Sequence, residues 1–163
     1  MNYKIRDFQI EDSRFVNEIA LKAFLQYKDH YSDWEGLSKK ISNMSILSNE
    51  SELIVGTIAS KVIGAIAYVP AGKANGFFSS EWPAIRMLVV DPNHRGIGLG
   101  KALTEICVSR AIRDGASCIA LHTSPIMKVA LEMYLRMGFK LEYEIPFIHG
   151  VPYNIYKKIL LNV

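Results

Sequence analysis

One stretch constrains the fold more than any other: Leu88-Val-Val-Asp-Pro-Asn-His-Arg95-Gly96-Ile-Gly98-Leu-Gly100-Lys101, where an apolar, β-branched run turns through glycines directly into a helical pattern. Asp91 and Pro92 stop the strand Ile85 to Val90, and a helix is expected from about Gly98 to Asp114, ended by Gly115. Glycines let backbone N–H groups approach an anion with no Cβ in the way. The first turn of a helix adds free donors and the positive end of its dipole. A pyrophosphate is the natural occupant of such a turn.

The rest of the chain supplies a sheet and helices around this element. Tyr3 to Phe8 reads as a strand, and Asp12 or Ser13 can cap a helix carrying Val16, Ile19, Ala20, Ala23, Phe24 and Tyr27 on one stripe. A second helix is expected from Trp34 to about Leu47. Leu53 to Ala59 and Val62 to Val69 are β-branched runs joined through Ser60 and Lys61, which suggests a tight antiparallel hairpin. Ala71 to Pro83 has loop composition, and its Phe and Trp residues make it an expected wall of a binding site. Ser117 to Thr123 is a strand, Ile126 to Met137 a helix closed by Gly138, and Phe139 to Pro146 and Tyr153 to Leu161 are the last strands. The order is β-α-α-β-β-β-α-β-α-β-β in one continuous domain over residues 1–163, with no repeat or long linker.

Charge and composition narrow the function. Lysine and arginine number 19 against 16 aspartates and glutamates, scattered without blocks, so no nucleic-acid partner is expected. Cys107 and Cys118 lie in apolar segments without metal or redox spacing and read as buried free thiols. No His, Cys and carboxylate cluster has ligand spacing, so no metal is expected, and His30, His94 and His149 read as loop or surface residues. No apolar run approaches the roughly 20 residues of a membrane span, and Met1 to Ile10 lacks the apolar core of a secretion leader. A cytoplasmic protein without membrane contact is expected.

Two common phosphate loops fail on residues. A Walker A loop requires Ser or Thr after Gly-Lys, but Gly100-Lys101 is followed by Ala102. A dinucleotide fingerprint beginning at Gly96 and Gly98 requires a third glycine where Lys101 stands. Arg95, Gly98 and Gly100 instead fit the pattern Gln or Arg, two residues, Gly, one residue, Gly or Ala. This resembles motif A of the GCN5-related N-acetyltransferase (GNAT) family. Ala130-Leu-Glu-Met-Tyr134-Leu-Arg-Met-Gly138-Phe139 is similar to the family's motif B. The resemblance is strongest from about Val62 to Lys140. It implies an α/β fold with a mixed, mostly antiparallel central sheet of about seven strands flanked by four helices, and acetyl-CoA as co-substrate.

The resemblance further implies that backbone amides of Arg95, Gly96, Ile97, Gly98, Leu99, Gly100 and Lys101 grip the CoA pyrophosphate. The edge Leu88, Val89 and Val90 would pair with the pantetheine arm, where a β-bulge splays this strand from the next. Thr123 and Met127 would border the cofactor. Met127 departs from the family, which often has Asn there, and a thioether cannot donate an amide hydrogen. Tyr134 stands where the family usually has its general acid; its alternative is an aromatic on the helix's core face.

Acyl transfer to an amine also needs the neutral amine and a donor for the developing oxyanion. Glu81, just before the Ile85 strand, is the first candidate base, its alternative being a solvated loop carboxylate. His122 is the rival base or a substrate contact, its alternative being a packed strand histidine. A backbone N–H near Val89 or Val90 is the candidate oxyanion donor. Arg86 interrupts an apolar strand and must meet solvent, a structural acid such as Glu81, or a substrate carboxylate. The acceptor is expected to be a primary amine of a small molecule, reached by direct attack because no activated cysteine is visible. A peptide or protein amine, or an acyl-CoA-binding module without transfer, are the alternatives. A homodimer through the last strands or the aromatic loop is compatible with the sequence.

Overall fold

The computed structural model describes residues 2–73 and 76–160. The chain forms β1 (Lys4–Asp7), a short 3-10 turn (Ile10–Asp12), α1 (Ser13–Phe24), a 3-10 helix (Leu25–His30), α2 (Trp34–Ile41), a further 3-10 helix (Met44–Asn49), β2 (Glu52–Ile58) and β3 (Lys61–Val69). There follow β4 (Ala84–Val90), α3 (Leu99–Arg113), β5 (Cys118–Thr123), α4 (Lys128–Arg136), β6 (Lys140–Ile148) and β7 (Val151–Ile159). The strands make one seven-stranded sheet in the order β1-β2-β3-β4-β5-β7-β6. Only β4 and β5 run parallel; the remaining pairs are antiparallel. This is the mixed, mostly antiparallel sheet with four helices that the sequence implies. No helix among the described residues is long and apolar enough to cross a membrane.

Alternation along the strands, reset at Ile63 where the β2–β3 register shifts, builds two cores. Ile54, Ile63 and Ile66 face Leu103 and Cys107 of α3 and Tyr134 of α4. Leu53, Val55, Ala65 and Ala67 face Val16, Ala20 and Ala23 of α1. The small Ala65 and Ala67 side chains leave room for α1 to lie close to the sheet.

Leu99, the first residue of α3, sits over Gly56 and Gly64, which are directly paired across β2 and β3. A Cβ on Gly56 would lie 2.6 Å from Leu99 Cδ1, and one on Gly64 would lie 2.8 Å from Leu99 Cδ2 and 3.0 Å from the Val89 carbonyl. Paired glycines thus make a recess that this leucine fills. The other end of α3 is held by charge. Arg110 donates to Glu52 (2.7 Å) and Asp7 (2.6 Å), Arg113 donates to Glu52 (2.8 Å), and the Tyr68 hydroxyl donates to Asp114 (2.8 Å).

Several boundaries differ from the sequence expectation. Ile58 pairs with Lys61, so the hairpin turn is Ala59-Ser60, both left-handed (φ 48° and 68°), as a two-residue type I′ turn demands. The expected Trp34 to Leu47 helix stops at Ile41 and resumes as the 3-10 turn, because Asn17 captures Ser45 through both its backbone N–H (2.8 Å) and its hydroxyl (3.0 Å). Asp12 does not cap α1. It turns back to accept a bidentate pair from Arg6 (2.7 and 3.0 Å) and the Gln9 N–H (2.9 Å). The last strand begins at Val151, and its expected end at Leu161 lies outside the described residues.

Gly56→Ala should therefore destabilise the fold by about 1–3 kcal/mol through overpacking, lowering Tm by several degrees. In that background Leu99→Ala should cost less than in the wild type, because the recess is already spoiled. Thermal denaturation of the four proteins of this cycle measures the coupling, and strict additivity would contradict the recess.

Candidate active site

The site begins at an irregularity in β4. Ala65 pairs with Val89 but Ala67 pairs with Arg86, so two β4 residues oppose one on β3, and Met87 takes φ 56°. A non-glycine residue at positive φ inside a strand is a bulge that bends β4. Its parallel ladder with β5 then consists of Ala84 with Ala120 and Ile85 with Leu121, after which the two strands part. The Asp91 N–H donates to the Ile63 carbonyl (2.8 Å). Antiparallel alternation commits Val89 to β3 as well and turns the polar backbone groups of Val90 toward the side that β5 has left.

A cavity of about 1170 Å³ opens there, between the end of α1, β4, the glycine loop, α3 and α4. Gly96 and Gly98 have φ 78° and 84°, and a Cβ on either would meet nothing within 4 Å. Conformation, rather than crowding, is what requires glycine at both. Gly98 is the N-cap of α3 and no side chain caps that helix, so its first N–H groups are left as donors. Arg95, Lys101, Lys128, Arg136 and Lys158 line the cavity against one acid, Glu105. Uncapped amides and clustered cations in one cleft suit a ligand that carries phosphates.

A second cavity, about 470 Å³, lies on the other side of a shared wall made by Phe24, Leu88, Met127 and Ala130. It is lined by Arg86, His122, Tyr134, Tyr31 and Tyr153, with apolar residues of α2 and the following 3-10 turn. Tyr134 stands one turn of α4 beyond Ala130, edge-on to Phe139, and burial raises its pKa, so the phenol keeps its proton. The Tyr31 and Tyr153 hydroxyls meet at 2.5 Å. The His122 ring packs between Phe78 and Tyr153. Burial, then the nearby Arg86 charge, lowers its pKa to about 4, leaving it neutral at pH 7.

Of the residues expected around the cofactor, Leu88, Val90, Arg95, Gly96, Gly98, Leu99, Gly100, Lys101 and Met127 line the larger cavity. Val89 does not: its side chain is in the core against α1, and its backbone faces β3. Ile97 packs beneath the loop, and Thr123 lines the smaller cavity, donating to the Met127 sulfur at 3.7 Å. Arg86, His122 and Tyr134, read from the sequence as candidate substrate or catalytic groups, all line the smaller cavity. Glu81 is a correction. It is exposed, lines neither cavity and makes no ion pair with Arg86, because Phe78 and Trp82 on either side of it turn inward onto the sheet. The same packing makes the Ala71 to Pro83 loop a cover behind His122, not a cavity wall; residues 74 and 75 of that loop lie outside the described residues.

Sequence reasoning missed Phe24, Tyr27, Tyr31, Tyr153 and Lys158. Phe24 and Tyr27 continue the apolar stripe of α1, but the helix ends at Phe24, and both turn to the larger cavity. Lys158 lies beside Lys157 where the apolar residues of β7 give way to charge, and nothing in the strand pattern singles it out. Tyr31 and Tyr153 carry no local signal at all. Cys107 is sealed in the core, where burial pushes its thiol up to about 12, so it offers no nucleophile. Among the described residues no three His, Cys, Asp or Glu side chains gather as metal ligands would.

Comparison with known proteins adds to this geometry. The model of the acetyltransferase (GNAT) family matches residues 13–139. An uncharacterized N-acetyltransferase of Methanocaldococcus jannaschii is 25% identical over 138 residues, covering 85% of this chain and 61% of that protein. The chain thus spans less than two thirds of that relative's length. Among solved structures, Ard1 from Thermoplasma volcanium superposes with a TM-score of 0.78 at 21% identity, over 99% of this chain and 100% of that one. The PaiA N-acetyltransferase of Thermoplasma acidophilum, solved in complex with coenzyme A, gives 0.71 at 20% identity, over 98% and 100%. At these identities the structural likeness is one of fold.

Two measurements follow from the site itself. Gly98→Ala should cost about 1–2 kcal/mol from left-handed strain alone, whereas Gly100→Ala, at a helical position with 3.7 Å to its nearest neighbour, should leave Tm unchanged or raised. For His122, the unfolded chain binds a proton below about pH 6.5 that the folded chain refuses until about pH 4. Stability is therefore full above pH 6.5 and falls as pH drops toward 4, by at most on the order of 3 kcal/mol. Urea titrations across that window should show the loss in the wild type and a flatter profile in His122→Gln.

Proposed function

Because the chain belongs to the acetyltransferase (GNAT) family, we propose that it transfers the acetyl group of acetyl-CoA directly to a primary amine of a small molecule. One observation carries this reading. A cation-lined cleft ending in uncapped helix amides abuts a second, smaller cavity, and the two share a wall where β4 and β5 part. A donor and an acceptor can approach each other only at such a junction.

When bound, acetyl-CoA supplies an activated thioester. The N–H groups from Gly96 to Lys101 would hold its pyrophosphate, with Arg95 and Lys101 beside them. The outward backbone groups of Val90 would pair with the amides of the pantetheine arm. Tyr134, one turn of α4 from Ala130 of the shared wall and with its proton retained, would hydrogen-bond the departing sulfur and deliver that proton.

An amine enters this cavity most easily without its proton. A lysine-like amine has a pKa near ~10.4 in water, but an apolar lining and the Arg86 charge both disfavour its protonated form. His122, neutral at pH 7, would accept a hydrogen bond from the incoming neutral amine, and Glu81 has no part in the reading. The sealed state of Cys107 supports direct attack over an acyl-enzyme. A cavity of about 470 Å³ supports a small acceptor over a protein substrate.

The test is thiol release from acetyl-CoA across amino acids, polyamines, aminoglycosides and short peptides. Tyr134→Phe should lower kcat by about 10²- to 10⁴-fold while CoA affinity, read by calorimetry, stays within a few-fold. Silence across the panel with acetyl-CoA still bound would favour a binding module without transfer, and failure to bind CoA would overturn the reading.

A further inference from the structure

Arg86 is the unexplained residue of the smaller cavity. It is half-buried in β4, immediately before the bulge at Met87, and among the described residues it makes no ion pair and no hydrogen bond. Its sequence alternative, a structural partner such as Glu81, is absent. The other ionisable side chains that line this cavity are Lys40, His122, His149 and the tyrosines, with no aspartate or glutamate among them. Burial lowers the pKa of Arg86, so its guanidinium is partly stripped of water without an acceptor in return, and a chain that needed only a filled core would be more stable with an apolar residue there. Every other arginine drawn toward the sheet in this fold is satisfied: Arg6 by Asp12, and Arg110 by Asp7 and Glu52.

The bulge explains the aim of the side chain. In a regular strand Ile85 and Met87 would face away from Arg86 and Leu88, yet all four line this cavity. The cavity crosses the sheet plane through the gap that β5 leaves. Arg86 therefore reaches the acceptor cavity, while Leu88, two residues on, belongs also to the wall shared with the larger one. Opposite stand Leu37, Ile41, Met44 and Leu47, an apolar surface on which Lys40 is the one charged neighbour, itself a cation and no partner for Arg86.

We infer that the acceptor is an amino carboxylate of amino-acid size: its carboxylate is held by Arg86, its apolar side chain lies on α2 and the following 3-10 turn, and its amine faces the Leu88–Met127 wall. The inference rests on the transfer reading above and sharpens it. A planar guanidinium binds a carboxylate through two parallel hydrogen bonds, which fixes orientation as well as affinity. Polyamines and aminoglycosides, which bring only further positive charge, are disfavoured by the same residue.

Matched acceptors test this: phenylalanine and leucine against their amides, with the wild type, Arg86→Met and Arg86→Lys. Comparing each acceptor across variants cancels the difference in amine pKa between acid and amide. The ratio of kcat/KM for acid over amide should fall about 10- to 100-fold in Arg86→Met, the range for losing a charged hydrogen-bonded contact, and less in Arg86→Lys. Calorimetry with N-acetylphenylalanine should show the same ranking of variants without turnover, and CoA binding confirms that each variant is folded. An unchanged acid-to-amide ratio in both variants would overturn the inference and leave acetyl transfer standing. If acid, amide and polyamine all fail to release thiol from bound acetyl-CoA, the transfer reading falls and this inference with it.

Discussion

The seating of one leucine on two glycines is the constraint on which the rest depends. An anion-binding turn is useful only if the helix behind it starts at a fixed height above the sheet. Leu99 sets that height by filling the recess over Gly56 and Gly64, whose pairing across β2 and β3 puts both missing side chains at one place. Because Leu99 is held, Gly98 can take its left-handed turn without a side-chain cap, and the amides that a Ser or Asp would have occupied stay available. The far end of α3 is fixed by different physics, an arginine and carboxylate cluster at the sheet edge, so the helix is clamped at both ends.

Placing two cavities back to back divides the electrostatic work. The larger has clustered cations on exposed surface, suited to a ligand whose phosphates remain near water. The smaller is lined mainly by apolar and aromatic residues, with Arg86 and Lys40 facing no carboxylate, a setting in which an ion pair is less screened than on open surface. Tyr134 belongs to the second environment, and its burial keeps the phenol protonated throughout the neutral range.

Much of this is legible in the amino-acid sequence. The glycine loop could be read because positive-φ turns and uncapped helix starts leave a residue signature, and Arg86 because a charge in an apolar strand must be explained. Glu81 was misplaced because a loop has no period from which to infer direction; the inward turn of Phe78 and Trp82 decided it. Asn17 ended the second helix from across the fold, and nothing near Ser45 announces that. The Tyr31 and Tyr153 hydroxyl pair joins residues 122 positions apart, beyond the reach of any local pattern. Met87 reads as an ordinary strand residue, although its backbone shapes the entire site.

The narrowness of the β4–β5 ladder has a mechanical meaning. A sheet normally resists shear because each strand is stitched to the next along its length. Here β1 to β4 form one stiff plate and β5, β7 and β6 another, joined by two residue pairs at one end of the seam. Such a seam can act as a flexure: a small rotation of one plate against the other would change the width of the gap at its open end, while the leucine seat and the glycine loop travel with the first plate. Bending would then adjust the distance between the two cavities without disturbing the grip on the phosphates.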